Sequence, residues 1–481
     1  ALLANDIHLV GRSFKYHRPR GIMTAGSEEP NAIVQVNDKT NRTEPNVRAT
    51  ELEIYEGLEA SSQNCWPSVN FDIGGINNVI SAFLPAGFYY KTFMWPASFW
   101  EKYEFFIRHS AGLGKSPTDK DPDIYDHRYV HCDVLVVGAG ISGILAAKNA
   151  AKNNFKTLLV DEKNELGGST IYQNREFNKI ENQSSSDWIK KEIEELKNIK
   201  NLEVKTRTSV AAYHGYNYLL ARENLTDHLE KKDKQGKIRQ RLLKIRAKKV
   251  ILATGALERP LIFNNNDRPG IMLSSAIKKY ADFYGVVSGK KNVFFTNNDS
   301  AYESALCLHN KGIKVEAVID IRESSNSKIV KAVENVGIKI HWSHTIVDTK
   351  GYKRLNSISA MKLSNDGLSV TGNKIDISCD CLGVAGGWTP AVHLFTQSGG
   401  KLKFDENNKV FLPNKYPSDQ LSVGSCNGDF KINEIINNLS TNLKEFLKID
   451  KTDFDNLSVE CEGENSKRNI WLLPSDKPIG K

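Results

Sequence analysis

The sequence predicts an α/β chain with two β-α-β units on parallel sheets, preceded by a small β-rich unit. Three observations predict it. The apolar run CDVLVVGAG (132–140) meets a glycine turn, the pattern of a strand buried on both faces. A second strand–helix–strand pattern follows from Lys291, as NVFFTN, AYESALCLHNKG and KVEAVIDI. Residues 1–65 instead carry short alternating stretches broken by turns, such as NAIVQV followed by NDKTNR.

The elements follow in order. After the β-rich unit, residues 66–130 form an aromatic-rich connector that ends in the polar stretch KSPTDKDPDIYDHRY. Residues 131–287 make the first part of a nucleotide-binding unit. It comprises the strand at 132–137, a helix at about 141–152, the strand FKTLLV and a surface helix at about 187–199. The strands VKTRTSVAAYHG and KKVILATG close it, with the basic segment RENLTDHLEKKDKQGKIRQR between them. Residues 288–378 are an inserted second unit. ISCDCLGVAGGWTP reads as the return to the first core, which runs over 379–445 and leaves 446–481 as a linker.

Composition excludes several classes. The 481 residues are 40% hydrophobic and 25% charged, ordinary for a globular chain. No apolar run approaches the roughly 20 residues of a membrane-spanning helix, so no membrane is expected. Net charge is +8 over the whole length, too mild to argue for nucleic acid. The seven cysteines are odd in number and scattered, which is no disulfide framework and points to a reducing, cytoplasmic compartment. Cys379 and Cys381, two apart in an extended run, are expected to be small core residues sharing a face. No CxxC, HxH or HExxH spacing suggests a metal, and no GxSxG elbow suggests a hydrolase.

The motif that carries chemistry is Gly138-Ala139-Gly140-Ile141-Ser142-Gly143. Gly138 makes the tight turn, Gly140 lets backbone approach a pyrophosphate, and Gly143 lets the helix pack on the strand. The phosphates then meet free N–H groups at the positive end of the helix. Asp161, 23 residues after Gly138 and followed by Glu162 and Lys163, ends the second strand where an acid accepts from a ribose hydroxyl. An acid there favours an unphosphorylated ribose, hence NAD or FAD over NADP. Gly167-Gly168-Ser169 stands where two-dinucleotide flavoproteins bring a turn to the nucleotide. Val210 is placed to touch an adenine through its backbone, and Thr254-Gly255 resembles those proteins' second crossing to the cofactor.

Two departures qualify this. Where those flavoproteins end a late strand in Gly-Asp, this chain has Gly424-Ser425, which weakens a flavin reading. In the inserted unit, Thr296-Asn297-Asn298-Asp299-Ser300-Ala301-Tyr302 stands in place of a GxGxxG. Without glycines the backbone cannot come close to a pyrophosphate, and Asp299 would repel it. The expectation is a fold kept and a nicotinamide site lost.

Two further clusters have open readings. Ten aromatics (Phe88, Tyr89, Tyr90, Phe93, Trp95, Phe99, Trp100, Tyr103, Phe105 and Phe106) suit internal packing between the N-terminal unit and the first core, or a partner interface. The basic run Arg12, Lys15, His17, Arg18, Arg20 suits a flavin phosphate or acidic partner, or a solvated hairpin.

With these residues in view, the chain resembles the α (large) chains of heterotetrameric sarcosine oxidase over essentially its whole length. The segments GRSFKYHRPRGI (11–22), EEPNAIVQV (28–36), AGFYYKTFMWP (86–96), RHSAGLGKSP (108–117), HCDVLVVGAG (131–140), LATGALERP (252–260), NDRPGIML (266–273) and TNNDSAYESA (296–305) carry the resemblance. It implies a disulfide-reductase-like core of two FAD/NAD(P)-binding, Rossmann-like domains behind a ferredoxin-like domain without an iron–sulfur cluster. It implies NAD in the first Rossmann unit, held by the glycine turn, Asp161 and the other residues named above, with no catalytic or metal-ligating residue of its own. FMN is implied at the interface with a β subunit, FAD on that β subunit, and γ and δ subunits as further partners. The implied reaction is oxidative demethylation of sarcosine to glycine with hydrogen peroxide, the one-carbon unit passing to tetrahydrofolate in a further aminomethyltransferase-like half. On this resemblance the sequence is expected to be cut at both ends. The alternative is an FAD-binding subunit of a related opine, proline or hydrogen cyanide synthase type complex. A self-contained disulfide oxidoreductase would need a redox Cys pair and an intact second glycine motif.

Overall fold

In a computed structural model, residues 1–37, 43–83, 95–111, 113–172, 177–417, 419–461 and 467–476 are described. Two sheets organise them. The first runs Leu202–Lys205, Thr157–Val160, Ile124–Val137, Ile238–Leu252, Tyr218–Asn224, Thr208–His214, with Gln420–Ser422 also paired to Ile238–Leu252. The pairings from Leu202–Lys205 to Ile238–Leu252 are parallel, as a β-α-β crossover requires. Helices Ile141–Lys152, Ser185–Leu196 and Ile432–Leu447 cover one face through Ile144, Leu145, Ile189, Ile436 and Leu439.

The helix at 141–152 forms as predicted. The surface helix starts at Ser185, not Asp187, because the Ser184 hydroxyl accepts the Asp187 N–H as an N-cap. VKTRTSVAAYHG is two strands in separate places in the sheet, Leu202–Lys205 and Thr208–His214. The strand predicted from residue 132 begins at Ile124, paired along Ile238–Leu252. Its first half is mostly exposed, so it carries no apolar run and reads as connector.

The second sheet is wholly parallel, in the order Ile271–Leu273, Cys381–Ala385, Lys291–Thr296, Lys314–Asp320, Ile340–Trp342. This differs from the predicted boundaries. Ile271–Leu273 joins the second unit before residue 288, and Cys381–Ala385 lies between it and Lys291–Thr296 instead of returning to the first core. Two buried parallel strands of the same length look alike in sequence, and only pairing separates them. The chain re-enters the first sheet at Gln420–Ser422. Cys379 and Cys381 are both buried but belong to different apolar clusters, because the strand Val370–Ser378 ends before them. They do not share one strand face. Burial pushes the Cys379 thiol up to about 12, which suits an inert core residue.

The N-terminal unit holds the sheet Thr43–Arg48, Ile33–Asn37, Glu59–Ser62. Its Val10, Ile22, Val34 and Val36 share a core with Met272, Ile277 and Tyr302 of the second unit. Buried Glu29 ties its turn, accepting N–H bonds from Met23, Thr24, Asn31 and Ala32 at 2.7–2.9 Å. Arg12, His17, Arg18 and Arg20 of the basic run are paired within the molecule, which departs from the solvated-hairpin reading. Arg12 donates to the Val69 carbonyl at 2.7 Å and His17 pairs with Asp72. Arg18 and Arg20 both clamp Asp267.

Burial would push Asp267 up, but the two guanidiniums override it and hold the carboxyl down at about 2. A depressed folded pKa gives stability that is present above the unfolded value of about 3.9 and lost as pH falls through the folded one. Asp267→Asn is therefore expected to lower unfolding free energy by about 2 kcal/mol at pH 7. Urea titrations should show the gap to wild type closing between about pH 4 and pH 2.

Of the aromatic cluster, Phe88, Tyr89, Tyr90 and Phe93 lie outside the described residues. The rest do not fill a core between units. Trp95 is 83% exposed and Phe106 70%, with Phe83 and Phe71 exposed nearby.

Candidate functional site

The C-terminal ends of the first sheet's parallel strands open into one cavity of about 960 Å³, the size range of ligand sites. Its base is the glycine turn. Gly138 adopts φ +99°, and a Cβ there would meet the Ala253 carbonyl oxygen at 2.3 Å. A Cβ on Gly143 would lie 1.8 Å from the Gly138 oxygen. Gly140 is the opposite case, with nothing within 4 Å of its would-be Cβ. That open space faces the cavity at the N-terminus of helix Ile141–Lys152, whose first turn carries no acid. The geometry fits an anionic pyrophosphate.

Asp161 sits at the end of strand Thr157–Val160 and lines the cavity. Its two oxygens accept the N–H groups of Ala139 at 2.6 Å and Lys163 at 2.8 Å. Burial raises its pKa, while these two bonds oppose the rise. The carboxylate thus braces the glycine turn, and each oxygen keeps a lone pair for a ribose hydroxyl.

The structure brings Gly138, Gly140, Ser142, Asp161, Glu162, Lys163, Gly168, Ser169, Val210, Thr254, Gly255 and Ser425 to the cavity wall. Ala139, Gly143 and Gly424 stand behind it. Ala139 holds Asp161, and Gly143 packs on Gly138. Gly424, at φ +70°, lies where a Cβ would meet the Ser142 hydroxyl at 2.2 Å. Thr254 donates its hydroxyl to the Ala391 carbonyl at 2.8 Å, joining the two crossings between units. The strand pair Ala256–Glu258 and Trp388–Pro390 forms the bridge itself.

Sequence reasoning missed the groups that close the cavity. Ser27 and Glu28 come from the N-terminal unit, and the Ser27 hydroxyl donates to Glu162 at 2.9 Å. Glu258, Ser275, Lys278 and Glu303 come from the bridge and the second unit. The quoted strings EEPNAIVQV and LATGALERP contain Glu28 and Glu258, but nothing local in them says that they converge.

The equivalent place in the second unit is filled by its own charges. Asp299 stands at the start of helix Ser300–Asn310 and accepts from Arg322 at 2.7 Å. Asp320 ends strand Lys314–Asp320, as Asp161 ends its strand, and accepts from Arg322 at 2.7 Å and from the Tyr302 hydroxyl at 2.8 Å. All three charged side chains are at least nine-tenths buried. Asp299 at the helix start is a like charge to a phosphate, and the acid that would take a ribose is already paired.

Comparisons with known proteins agree with this architecture. Residues 132–418 match the family model described as pyridine nucleotide-disulphide oxidoreductase. Residues 1–65 match a 2Fe-2S iron–sulfur cluster binding domain. Cys65 is the only cysteine in that stretch, so the thiolates of such a cluster are missing. The chain is 43% identical over 414 residues to the sarcosine oxidase subunit alpha of Rhizobium meliloti, covering 86% of this chain and 40% of that protein. It is 34% identical over 434 residues to the subunit of the same name from Corynebacterium sp. strain P-1, covering 89% and 39%. It thus spans about 40% of the length of these curated relatives. The L-proline dehydrogenase from P. horikoshii shares the fold, with a TM-score of 0.62 at 18% identity over 96% of this chain and 74% of that one. Among the described residues no helix is long and apolar enough to cross a membrane. The chain belongs to the pyridine nucleotide-disulphide oxidoreductase family and is a homologue of sarcosine oxidase alpha subunits.

Proposed function

We propose that this chain is the dinucleotide-holding part of the α subunit of a cytoplasmic sarcosine oxidase complex, and that its cleft carries NAD. The observation that carries the cofactor reading is the open space at Gly140, between a braced glycine turn and a helix N-terminus. Asp161 supports an unphosphorylated ribose, and Ser425 in place of an Asp favours NAD over FAD. The chain's own residues bind and orient the nucleotide, and the N-terminal unit closes over it through Ser27 and Glu28.

In the complex, bound flavin would supply the redox chemistry by which sarcosine is oxidised and oxygen reduced to hydrogen peroxide. FAD belongs to a β subunit, FMN to its interface with this chain, and γ and δ subunits complete the assembly. The one-carbon unit goes to tetrahydrofolate in a part of the α subunit beyond this sequence. The exposed Phe71, Phe83, Trp95 and Phe106 support a partner surface, since large aromatics concentrate at interface cores.

Denaturing the purified chain and identifying the released nucleotide tests the reading, with NAD expected. FAD overturns the NAD assignment in favour of an opine or proline dehydrogenase type of complex. No nucleotide favours a pure scaffold. Asp161→Asn deprives one backbone N–H of its acceptor and is expected to weaken dinucleotide retention about tenfold or more, measured by dialysis. Unchanged retention moves the ribose contact to Glu162. The chain alone is expected not to turn over sarcosine, and oxygen uptake by the isolated chain would overturn the division of labour.

A further inference from the structure

We infer that Glu258 is the counter-charge for the cationic ring of an oxidised nicotinamide dinucleotide, and selects that form over the neutral reduced one. The inference rests on the dinucleotide reading of the cleft and goes beyond it to the redox state held there.

Glu258 lines the same cavity as Asp161, Val210 and the glycine turn. The inferred dinucleotide sets its second ring against the bridge between the units, where Glu258 and Trp388 line the same cavity. Glu258 is 7% exposed. One carboxyl oxygen accepts the Ser275 N–H at 2.9 Å, at the start of helix Ser274–Asp282. The other is buried with no hydrogen-bond partner among the described residues.

Among the described residues no cation answers it. Lys278, on the same wall, is paired to Glu303 at 2.6 Å. Glu28, reaching in from the N-terminal unit, is a like charge, and Tyr172 adds a neutral phenol. Burial and, to a smaller extent, Glu28 push the carboxyl up to about 7, against hydrogen bonding from the Ser275 side chain and backbone N–H. A buried carboxyl with one free oxygen and no counter-ion is costly as an anion unless a cation arrives. The oxidised nicotinamide ring is such a cation, and the reduced ring is not.

The sign follows from linkage. A cationic ligand favours the ionised carboxyl, so oxidised-form affinity rises with pH up to about 7 and then levels off. Below that point it falls by about tenfold per pH unit. The reduced form lacks this rise.

The test measures binding of NAD⁺, NADH and ADP-ribose to nucleotide-free chain from pH 5.5 to 8.5 by calorimetry. The expected result is tighter NAD⁺ than NADH at pH 8, with the preference shrinking toward pH 6. Glu258→Gln keeps an acceptor for Ser275 and is expected to lower the preference about tenfold and flatten the pH profile, with ADP-ribose affinity unchanged. Equal affinity for NAD⁺ and NADH at all pH values, or a preference untouched by Glu258→Gln, overturns the inference while ADP-ribose binding leaves the cleft reading standing. Failure of ADP-ribose itself to bind overturns the cleft reading and the inference with it. If the Gln variant does not fold, the wild-type NAD⁺ and NADH profiles alone decide.

Discussion

Gly143→Ala is expected to destabilise the dinucleotide unit by about 3 kcal/mol or more, a loss at the upper end of overpacking effects. The new Cβ would sit 1.8 Å from the Gly138 carbonyl oxygen, a backbone atom that cannot rotate away. The helix cannot retreat as a body, since every residue from Ile141 to Ala151 is buried. Gly138 is equally fixed, against the Ala253 carbonyl. Gly140→Ala is the control. Its Cβ meets no protein atom within 4 Å and would occupy the space assigned to the pyrophosphate. That variant should melt like nucleotide-free wild type and still fail to hold its nucleotide. Thermal melts and nucleotide content of the two proteins separate the outcomes. Wild-type stability of Gly143→Ala would contradict the close strand–helix contact, and full nucleotide content in Gly140→Ala would contradict the pyrophosphate assignment.

Arg322→Met is expected to cost about 3–5 kcal/mol, the range for removing one partner of a buried ion pair. The guanidinium holds two carboxylates, Asp299 and Asp320, whose side chains are 8% and 0% exposed. Methionine fills similar volume and leaves both acids without their cation. Adding Asp320→Asn and Asp299→Asn should recover much of the loss, because well-packed neutral groups can replace a buried ion cluster. Urea unfolding of the single and triple variants reads this. A single variant within about 1 kcal/mol of wild type would mean that the cluster is hydrated and the second cleft more open than its geometry implies.

The two units differ in how far sequence alone reaches into them. The first is legible because its signals are local. Three glycines, a strand, a helix and an acid lie within residues 132–161, and each constrains its neighbours in the chain. The helix bounds at Ile141 and Lys152 and the loss of glycines at 296–302 are of the same kind. Strands Ile124–Val137 and Ile238–Leu252 were legible only at their apolar ends. The first half of Ile124–Val137 leaves the core, and polar exposed residues look the same in a strand as in a linker; in Ile238–Leu252 the burial of Leu243, Ile245 and Ala247 on alternate positions was the signal missed. Cys381–Ala385 went to the wrong sheet because a short apolar run does not name its neighbours.

Charge was the least legible feature. Arg18 and Arg20 read as a basic surface until Asp267, some 250 positions away, takes both. Asp299 read as a repulsive charge, but its partner Arg322 follows an intervening strand. Glu258 carried no signal, since a single Glu in an apolar stretch means nothing until its burial and its missing counter-ion are known. The core-packing reading of the aromatic cluster failed for the converse reason. Trp95 and Phe106 are apolar enough for a core, but nothing in the described fold lies over them.

By itself the sequence determined the fold class, one intact glycine turn with its acid, one degenerate turn, and the kinship with sarcosine oxidase alpha chains. All of these rest on covalent neighbours or on long matching strings, so chain order is enough. The tertiary structure decided which strands share a sheet, that the N-terminal unit helps to wall the cleft, that the second unit's strand-end acid is held in an ion cluster, and that one oxygen of Glu258 stands there without a partner. Pairing, burial and the energy of a charge are set by what lies within a few ångströms, and in this chain those neighbours come from residues tens to hundreds of positions away.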